Sequence, residues 1–203
     1  MIKFPLARPL LGDSELDAVA RVLNSGYLVQ GPEVRRFEAA LSELTGLKHA
    51  VACSSGTAAL HLALSAIELP DNAEILVPAF GYPATANAVE LMGVKTRFVD
   101  IDPDTLCPSV SALEDAANQQ TVGFILVHPF GLPAPIDSYA RFAEQRDMWL
   151  LQDAACALGT SVGLGWADPR FPTCLSFHPR KTITTAEGGM VLTNDSKLAR
   201  TML

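Results

Sequence analysis

The chain has 203 residues, of which 49% are hydrophobic and 18% charged. This length and apolar content are enough to bury a sizeable core, so we expect residues 1–203 to form one domain rather than two. The net charge of −7 argues against a nucleic-acid-binding surface, and no apolar segment approaches the length of a membrane-spanning helix.

The four cysteines and four histidines have neither the paired spacing of a disulfide framework nor the ligand spacing of a zinc site. We therefore expect reduced thiols, no metal site and a cytoplasmic location.

Apolar, strand-like runs alternate with helical segments along the whole chain. Strands are predicted at 48–53, 74–78, 95–100, 122–128, 148–152, 173–177 and 189–193. Helices are predicted at 13–24, 32–45, 57–69, 84–92, 109–119, 136–146 and 195–203. Such alternation produces repeated βαβ units, so the sequence predicts an α/β fold with a mostly parallel sheet sandwiched by helices.

The turn Ser55-Gly56-Thr57 follows the first predicted strand and opens an apolar helix. Gly56 allows the backbone to come close to a ligand, the flanking residues carry hydroxyls, and the unpaired amides of a first helical turn attract anions. The turn is therefore a candidate phosphate-binding site. In most proteins the same pattern is only a helix cap.

Asp153 follows the apolar run 148–152, which places a carboxylate at the carboxyl end of a predicted strand. Open α/β sheets bind their ligands at that edge. Beside the pyridine nitrogen of pyridoxal phosphate (PLP), a carboxylate keeps the ring protonated. The alternative is an N-cap for a helix over 154–158, and the two roles are compatible.

Lys181 lies between the predicted strand 173–177 and a threonine- and glycine-rich stretch, 182–189. A surface lysine usually lies among other charges on a helix face, whereas this one is followed by residues that favour extended backbone and supply hydroxyls. The position suits a Schiff-base lysine, whose amine attacks an aldehyde. Taken alone, it would be read as an ordinary solvated side chain.

Together these motifs resemble the large domain of fold-type I PLP enzymes and, in detail, the DegT/DnrJ/StrS family of sugar aminotransferases. Segments 24–34, 78–88 and 127–133 are also similar to that family. The resemblance implies PLP as cofactor, Lys181 and Asp153 as catalytic residues, and Tyr82 stacked on the ring. It implies phosphate contacts from Ser55, Gly56, Thr57 and Ser176.

Two positions depart from the family pattern. Cys156 stands where the family has glutamine or histidine against the phenolic oxygen of the cofactor, and a thiol is a weaker hydrogen-bond donor. Ala186 replaces the glycine of the family's Thr-Thr-Gly-Glu-Gly-Gly motif, so a positive φ there would be strained. Lys181 argues against the family's dehydratase branch, which has histidine at that position.

The implied function is transamination from glutamate to a nucleotide-linked keto sugar, in polysaccharide, O-antigen or secondary-metabolite sugar biosynthesis. The resemblance also implies a homodimer. Family members continue into a small C-terminal domain that completes the substrate pocket, so we expect residues 1–203 to be the PLP-binding large domain without it, and a poor catalyst alone. The alternatives are a non-catalytic binding or regulatory domain and another PLP reaction on the same fold.

Overall fold

The structure is a computed structural model that describes residue 4 and residues 7–160 and 168–203. In this part of the chain, seven strands form one sheet and seven α-helices accompany it. The strands are β1 (His49–Cys53), β2 (Glu74–Pro78), β3 (Lys95–Val99), β4 (Thr121–Val127), β5 (Trp149–Asp153), β6 (Thr173–Ser176) and β7 (Gly189–Thr193). The helices are α1 (Asp13–Ser25), α2 (Pro32–Thr45), α3 (Gly56–Ser65), α4 (Ala84–Leu91), α5 (Val110–Ala116), α6 (Ile136–Gln145) and α7 (Ser196–Thr201).

The strands are ordered β1-β7-β6-β5-β4-β2-β3 across the sheet. The neighbours from β6 to β3 pair in parallel, whereas β7 is antiparallel to both β6 and β1. Strand β1 therefore runs in the same direction as the parallel strands, and the carboxyl ends of all strands except β7 share one edge. The predicted α/β fold with a mostly parallel sheet is confirmed.

Side chains alternate between two apolar layers because successive residues of a strand face opposite sides of the sheet. In β2, Ile75 and Val77 pack with α3 and α4, while Leu76 packs with α5 and α6 on the other side. In β7, Val191 belongs to the first of these layers, and Met190 packs with a cluster that includes α2. Burial on both sides explains why these strands are continuous apolar runs in the sequence.

All fourteen predicted elements are present; most strand bounds differ by one residue, and the larger differences lie at helix ends. The helix predicted at 57–69 ends at Ser65, because the chain turns towards Pro70 and β2. The last helix begins at Ser196, since the Asp195 carboxylate accepts hydrogen bonds from the amides of Lys197 and Leu198. The alternative prediction of a helix over 154–158 is wrong, because that segment forms hydrogen-bonded turns instead.

Candidate active site

A cavity of about 520 Å³ lies at the carboxyl edge of the sheet. The ends of β1, β5 and β6 open onto it, since these three strands run in the same direction and finish at one level. All eight side chains or backbone segments singled out from the sequence line this cavity: Ser55, Gly56, Thr57, Tyr82, Asp153, Cys156, Ser176 and Lys181. They come from five separate parts of the chain.

The Ser55 hydroxyl accepts a hydrogen bond from the amide of Ala58 at 3.1 Å, so Ser55 is the N-cap of α3. The helix-cap alternative is therefore correct for this side chain. The amides of Gly56 and Thr57 have no acceptor within the helix because of their position at its start, and both residues line the cavity. The helix terminus thus offers amide donors and a partial positive charge to an anion.

Gly56 is in close contact with the end of β6. A Cβ atom added at Gly56 would lie 2.7 Å from the Cβ of Ser176, and one added at Gly189 would lie 2.1 Å from the carbonyl oxygen of Ser55. Both distances are shorter than any tolerable contact. Glycine at these positions therefore lets the α3 turn meet Ser176 and the start of β7.

Asp153 is the last residue of β5 and is only 6% exposed. Its Oδ2 accepts a hydrogen bond from the Thr85 hydroxyl at 2.7 Å, and its Oδ1 accepts one from the Ala155 amide at 3.2 Å. Burial raises the pKa of this carboxyl, and the two hydrogen bonds and the charge of Lys181 offset part of that rise. Asp153 is thus a buried carboxylate held in a fixed orientation.

Lys181 lies in the loop between β6 and β7 and is half-buried in the cavity wall. Hydrogen bonds from the Phe177 amide to the Gly188 carbonyl and from the Thr185 amide to the Phe177 carbonyl close this loop. The Lys181 Nζ donates a hydrogen bond to the Cys156 Sγ at 3.0 Å. The structure therefore brings the predicted amine next to the residue that departs from the family pattern.

Ala186 has a φ of 68°, in the left-handed region. A positive φ is the condition under which strain is predicted at this alanine, and the structure meets it. The Ala186 amide donates to the Thr184 hydroxyl at 3.0 Å, and that hydroxyl donates to the Phe177 carbonyl at 2.8 Å. The backbone is held in this conformation by its neighbours despite the cost to a residue with a Cβ.

Aromatic side chains surround the open side of the cavity. Tyr82 is 73% exposed, and the Phe80 and Phe130 rings contact each other at 6.0 Å between centroids. On the inner wall His128 is buried, and its Nδ1 accepts from the Ala134 amide at 3.1 Å. Burial lowers the pKa of His128 to about 4, so its ring is neutral at physiological pH.

Five polar residues of the site were not singled out from the sequence. Thr85 binds Asp153 directly, but the sequence does not distinguish it from the other polar residues of its helix. The buried His128 also lines the cavity. His178, Arg180 and Glu187 line the cavity beside Lys181. Their proximity to the lysine in the sequence was available as a signal.

Among the described residues, no cluster of three or more histidine, cysteine, aspartate or glutamate side chains is arranged to hold a metal ion. The helices of this described part are too short or too polar to cross a membrane.

The cavity at the carboxyl edge of this mostly parallel sheet combines a lysine, a buried carboxylate and a helix N-terminus. This combination is typical of enzyme domains that bind a phosphate-bearing cofactor. The model of the DegT/DnrJ/EryC1/StrS aminotransferase family matches residues 9–203, and the chain belongs to that family. The resemblance stated from the motifs is thereby confirmed.

Solved structures of longer chains share the fold. An aminotransferase from Psychrobacter cryohalolentis is 33% identical, with a TM-score of 0.87 over 96% of this chain and 50% of its own. Helicobacter pylori PseC, an aminotransferase involved in the biosynthesis of pseudoaminic acid, is 33% identical, with a TM-score of 0.88 over 98% of this chain and 54% of its own. An E. coli GDP-4-keto-6-deoxy-D-mannose-3-dehydratase with bound hydrated PLP is 29% identical, with a TM-score of 0.90 over 98% of this chain and 53% of its own.

The chain thus spans about half the length of the structures it matches.

Proposed function

We propose that this chain is the PLP-binding large domain of an aminotransferase that acts on a nucleotide-linked keto sugar. The observation that supports it most directly is the convergence of Lys181, Asp153 and the N-terminus of α3 on one cavity. Membership of the aminotransferase family supports the same reaction class.

The residues of the cavity suit PLP in three respects. The volume of about 520 Å³ is typical of small-molecule sites. The amides at the start of α3 suit a phosphate. Among the described side chains, none forms an ion pair with the buried Asp153, so a protonated ring nitrogen would supply the ion-pair partner that these side chains do not provide.

In the proposed arrangement, Gly56, Thr57 and Ser176 bind the phosphate, with Ser55 holding the helix terminus in place. Asp153 keeps the ring nitrogen protonated, and Thr85 and Ala155 fix the orientation of its carboxylate.

Tyr82 would cover one face of the ring, and Cys156 would take the place that the family pattern gives to a residue against the phenolic oxygen. When bound, PLP supplies the electron-withdrawing ring that stabilises a carbanion at the substrate carbon.

Lys181 has two tasks in this proposal. Its Nζ would hold the cofactor through the aldehyde group, and once free the same Nζ would remove and return a proton at the substrate carbon. We propose glutamate as the amino donor, by resemblance to the family. The presence of Lys181 favours amination over the dehydration for which the E. coli neighbour is named.

The exposed aromatic residues at the mouth, Tyr82 and Phe130, support a further proposal that a second copy of the chain covers the site in a homodimer. All four cysteines are free, which supports a reducing, cytoplasmic location. Sedimentation of the PLP-loaded chain tests the dimer, and a monomer at micromolar concentration would contradict it.

A PLP titration tests the cofactor assignment. We expect the chain to develop the visible absorption band of lysine-bound PLP, and borohydride reduction followed by peptide mass analysis to place the cofactor on Lys181. The Lys181→Ala variant should lose the band, whereas Lys197→Ala, on the exposed side of α7, should retain it. An unchanged band in Lys181→Ala would show that another residue holds the cofactor.

The reaction is tested by adding glutamate and a panel of nucleotide-linked keto sugars to the PLP-loaded chain. Glutamate should convert the band of lysine-bound PLP to that of the aminated cofactor. If addition of one of the sugars then restores the original band, the result would support transamination and identify the substrate. PLP binding with no response to any amino donor or sugar would favour the non-catalytic domain.

A further inference from the structure

Cys156 differs from the other three cysteines in its surroundings. Cys107 and Cys174 are buried and Cys53 is half-buried, and burial raises the pKa of each of these three thiols. Cys156 is exposed and lines the cavity. Because oxidation of a thiol depends on access, we expect a dissolved oxidant to attack the exposed Cys156 first.

An amine lies within bonding reach of that thiol. The Lys181 Nζ is 3.0 Å from the Cys156 Sγ and donates its hydrogen bond to it. The backbones on both sides are held in place, since the Lys181 amide donates to the His178 carbonyl at 2.8 Å and the Ala157 amide to the Ala154 carbonyl at 2.9 Å. Forming a bond between the two side chains needs only a small movement of their tips.

We propose that Cys156 and Lys181 are a covalent modification site, at which hydrogen peroxide produces a sulfur–nitrogen link between the two side chains. A sulfenic acid condenses with a nearby nitrogen when no second thiol competes for it. Here the nitrogen already contacts the sulfur. The link itself is independent of the proposed function, and only its effect on cofactor binding depends on it.

The chemistry balances with one equivalent of peroxide. The Cys156 sulfur attacks one oxygen of the peroxide, the O–O bond breaks, and the thiol becomes a sulfenic acid with release of one water. The neutral Lys181 amine then attacks that sulfur, the S–O bond breaks, and the hydroxyl leaves with a proton from nitrogen as a second water. The sulfur is oxidised by two electrons and the peroxide is reduced by two. Reversal takes two thiol groups: the first attacks the sulfur, breaks the S–N bond and leaves a mixed disulfide with release of the Lys181 amine. The second reduces that mixed disulfide to the Cys156 thiol, and the two added thiols leave as a disulfide.

The link would occupy the amine that the proposed function assigns to PLP. A linked Lys181 cannot form a bond to an aldehyde, so the oxidised chain should not take up the cofactor. Conversely, PLP already bound to Lys181 should protect the pair from linking. The contact would thus make the site sensitive to peroxide in its cofactor-free state.

Mass spectrometry of the cofactor-free chain after treatment with hydrogen peroxide tests the link. We expect a product about 2 Da lighter than the untreated chain, which dithiothreitol converts back. Trypsin should no longer cleave after Lys181, and the peptides that contain Lys181 and Cys156 should be recovered as one species. The Cys156→Ser variant should form none of it, while Cys53→Ser should form as much as the unmodified sequence, which excludes a disulfide with Cys53.

Two results would overturn the proposal. The first is a gain of about 16 or 32 Da on Cys156 with normal cleavage after Lys181, which would show simple oxidation of the thiol. The second is a gain of about 14 Da on the joined peptides, which would show an oxygen-bridged link instead of a direct bond. Circular dichroism before and after treatment shows whether the variants and the oxidised chain remain folded.

The effect on the cofactor is measured separately. After peroxide treatment the chain should fail to develop the visible band with PLP, and dithiothreitol should restore it. If the untreated chain also fails to bind PLP, the proposed function is wrong, but the mass measurement still decides whether the link forms. If the linked chain binds PLP as well as the reduced chain, the assignment of Lys181 to both roles is contradicted.

Discussion

The two ends of the sheet each hold a buried carboxylate, and their surroundings differ. At the amino end, Glu74 contacts the Lys95 Nζ at 3.0 Å, the Arg97 Nε at 2.5 Å and the Asn118 amide at 2.7 Å. Arg97 makes the largest contribution to lowering the pKa of Glu74, which falls to about 2. At the carboxyl end, Asp153 has only neutral hydrogen-bond donors, and burial raises its pKa. A carboxylate paired by the protein stabilises the fold, whereas one without a cation is available to a ligand.

The two ends of the sheet also differ in which residue types have a positive φ. At the amino end, positive φ falls on Asn72 and Asp147, residue types that tolerate it. At the carboxyl end it falls on Leu106, Phe130 and Ala186, residues for which it is costly. Strain of this kind is concentrated at functional sites in many proteins. Here it lies on the loops at the edge where the cavity opens.

The largest expected effect separates the two carboxylates by function. Asp153→Asn should slow the conversion of lysine-bound PLP by glutamate by about 10²- to 10³-fold, because the ring nitrogen loses its charged partner. Its free energy of unfolding should not fall, since an unpaired buried charge is removed. Stopped-flow absorbance measures the rate. Glu74→Gln is the control and should react at the normal rate. Equal rates in the two variants would contradict a specific role of Asp153 in the reaction.

The second prediction separates them by stability. Glu74→Gln should lower the free energy of unfolding by roughly 1.5–3 kcal/mol, because hydrogen bonds to charged partners are lost. Urea denaturation followed by circular dichroism measures it. Glu43→Gln, at an exposed position of α2, should be close to neutral. A loss in Glu74→Gln no larger than in this control would mean that the contacts of Glu74 with Lys95, Arg97 and Asn118 do not stabilise the fold.

The third prediction concerns pH. The pKa of Glu74 is lowered from 4.5, so its stabilisation is present above pH 4.5 and is lost as the pH falls towards 2. The pKa of Asp153 is raised from 3.8, so its ionisation costs stability as the pH rises above that value. Urea midpoints from about pH 5 to 7 should therefore show the gain of Asp153→Asn growing with pH, while the loss in Glu74→Gln stays nearly constant. Parallel curves would contradict the opposite shifts.

The smallest effect compares the backbone at the two ends. Ala186→Gly should raise the free energy of unfolding by about 0.5–1 kcal/mol, since relief of the left-handed strain exceeds the added flexibility of the unfolded chain. Asn72→Gly should gain less, because asparagine already tolerates its φ of 61°. Thermal unfolding of both variants provides the measurement. A larger gain in Asn72→Gly than in Ala186→Gly would contradict the prediction that backbone strain is concentrated at the carboxyl end of the sheet.

Much of the fold and the cavity lining could be predicted because local patterns determine them. Apolar runs mark strands buried on both sides, and the residues that follow them must lie at one edge when the strands are parallel. Asp153 was predicted in that way, whereas Lys181 was predicted from the threonine- and glycine-rich stretch that follows it. The contact of Thr85 with Asp153 joins residues from different elements, so no local pattern shows it. The contact of Lys181 with Cys156 depends on how two loops meet.

The end of helix α3 shows a second limit. Ile67 and Leu69 continue the apolar pattern, so periodicity alone extends the helix to residue 69, whereas the structure ends it at Ser65. Helix ends depend on where the chain must turn to join its next partner, and a residue-by-residue pattern does not contain that geometry.

The pairing of β1 with β7 has a consequence for the order of folding. Val51 lies opposite Val191, so this edge of the sheet closes only once residue 191 has been made. Contacts this distant in sequence form late and slowly, because the loop between them must first lose its freedom. The same closure brings the Ser55 carbonyl against Gly189. Uptake of a phosphate-bearing ligand at this turn would therefore report that this edge of the sheet has closed, and in refolding experiments it should follow the recovery of helical signal.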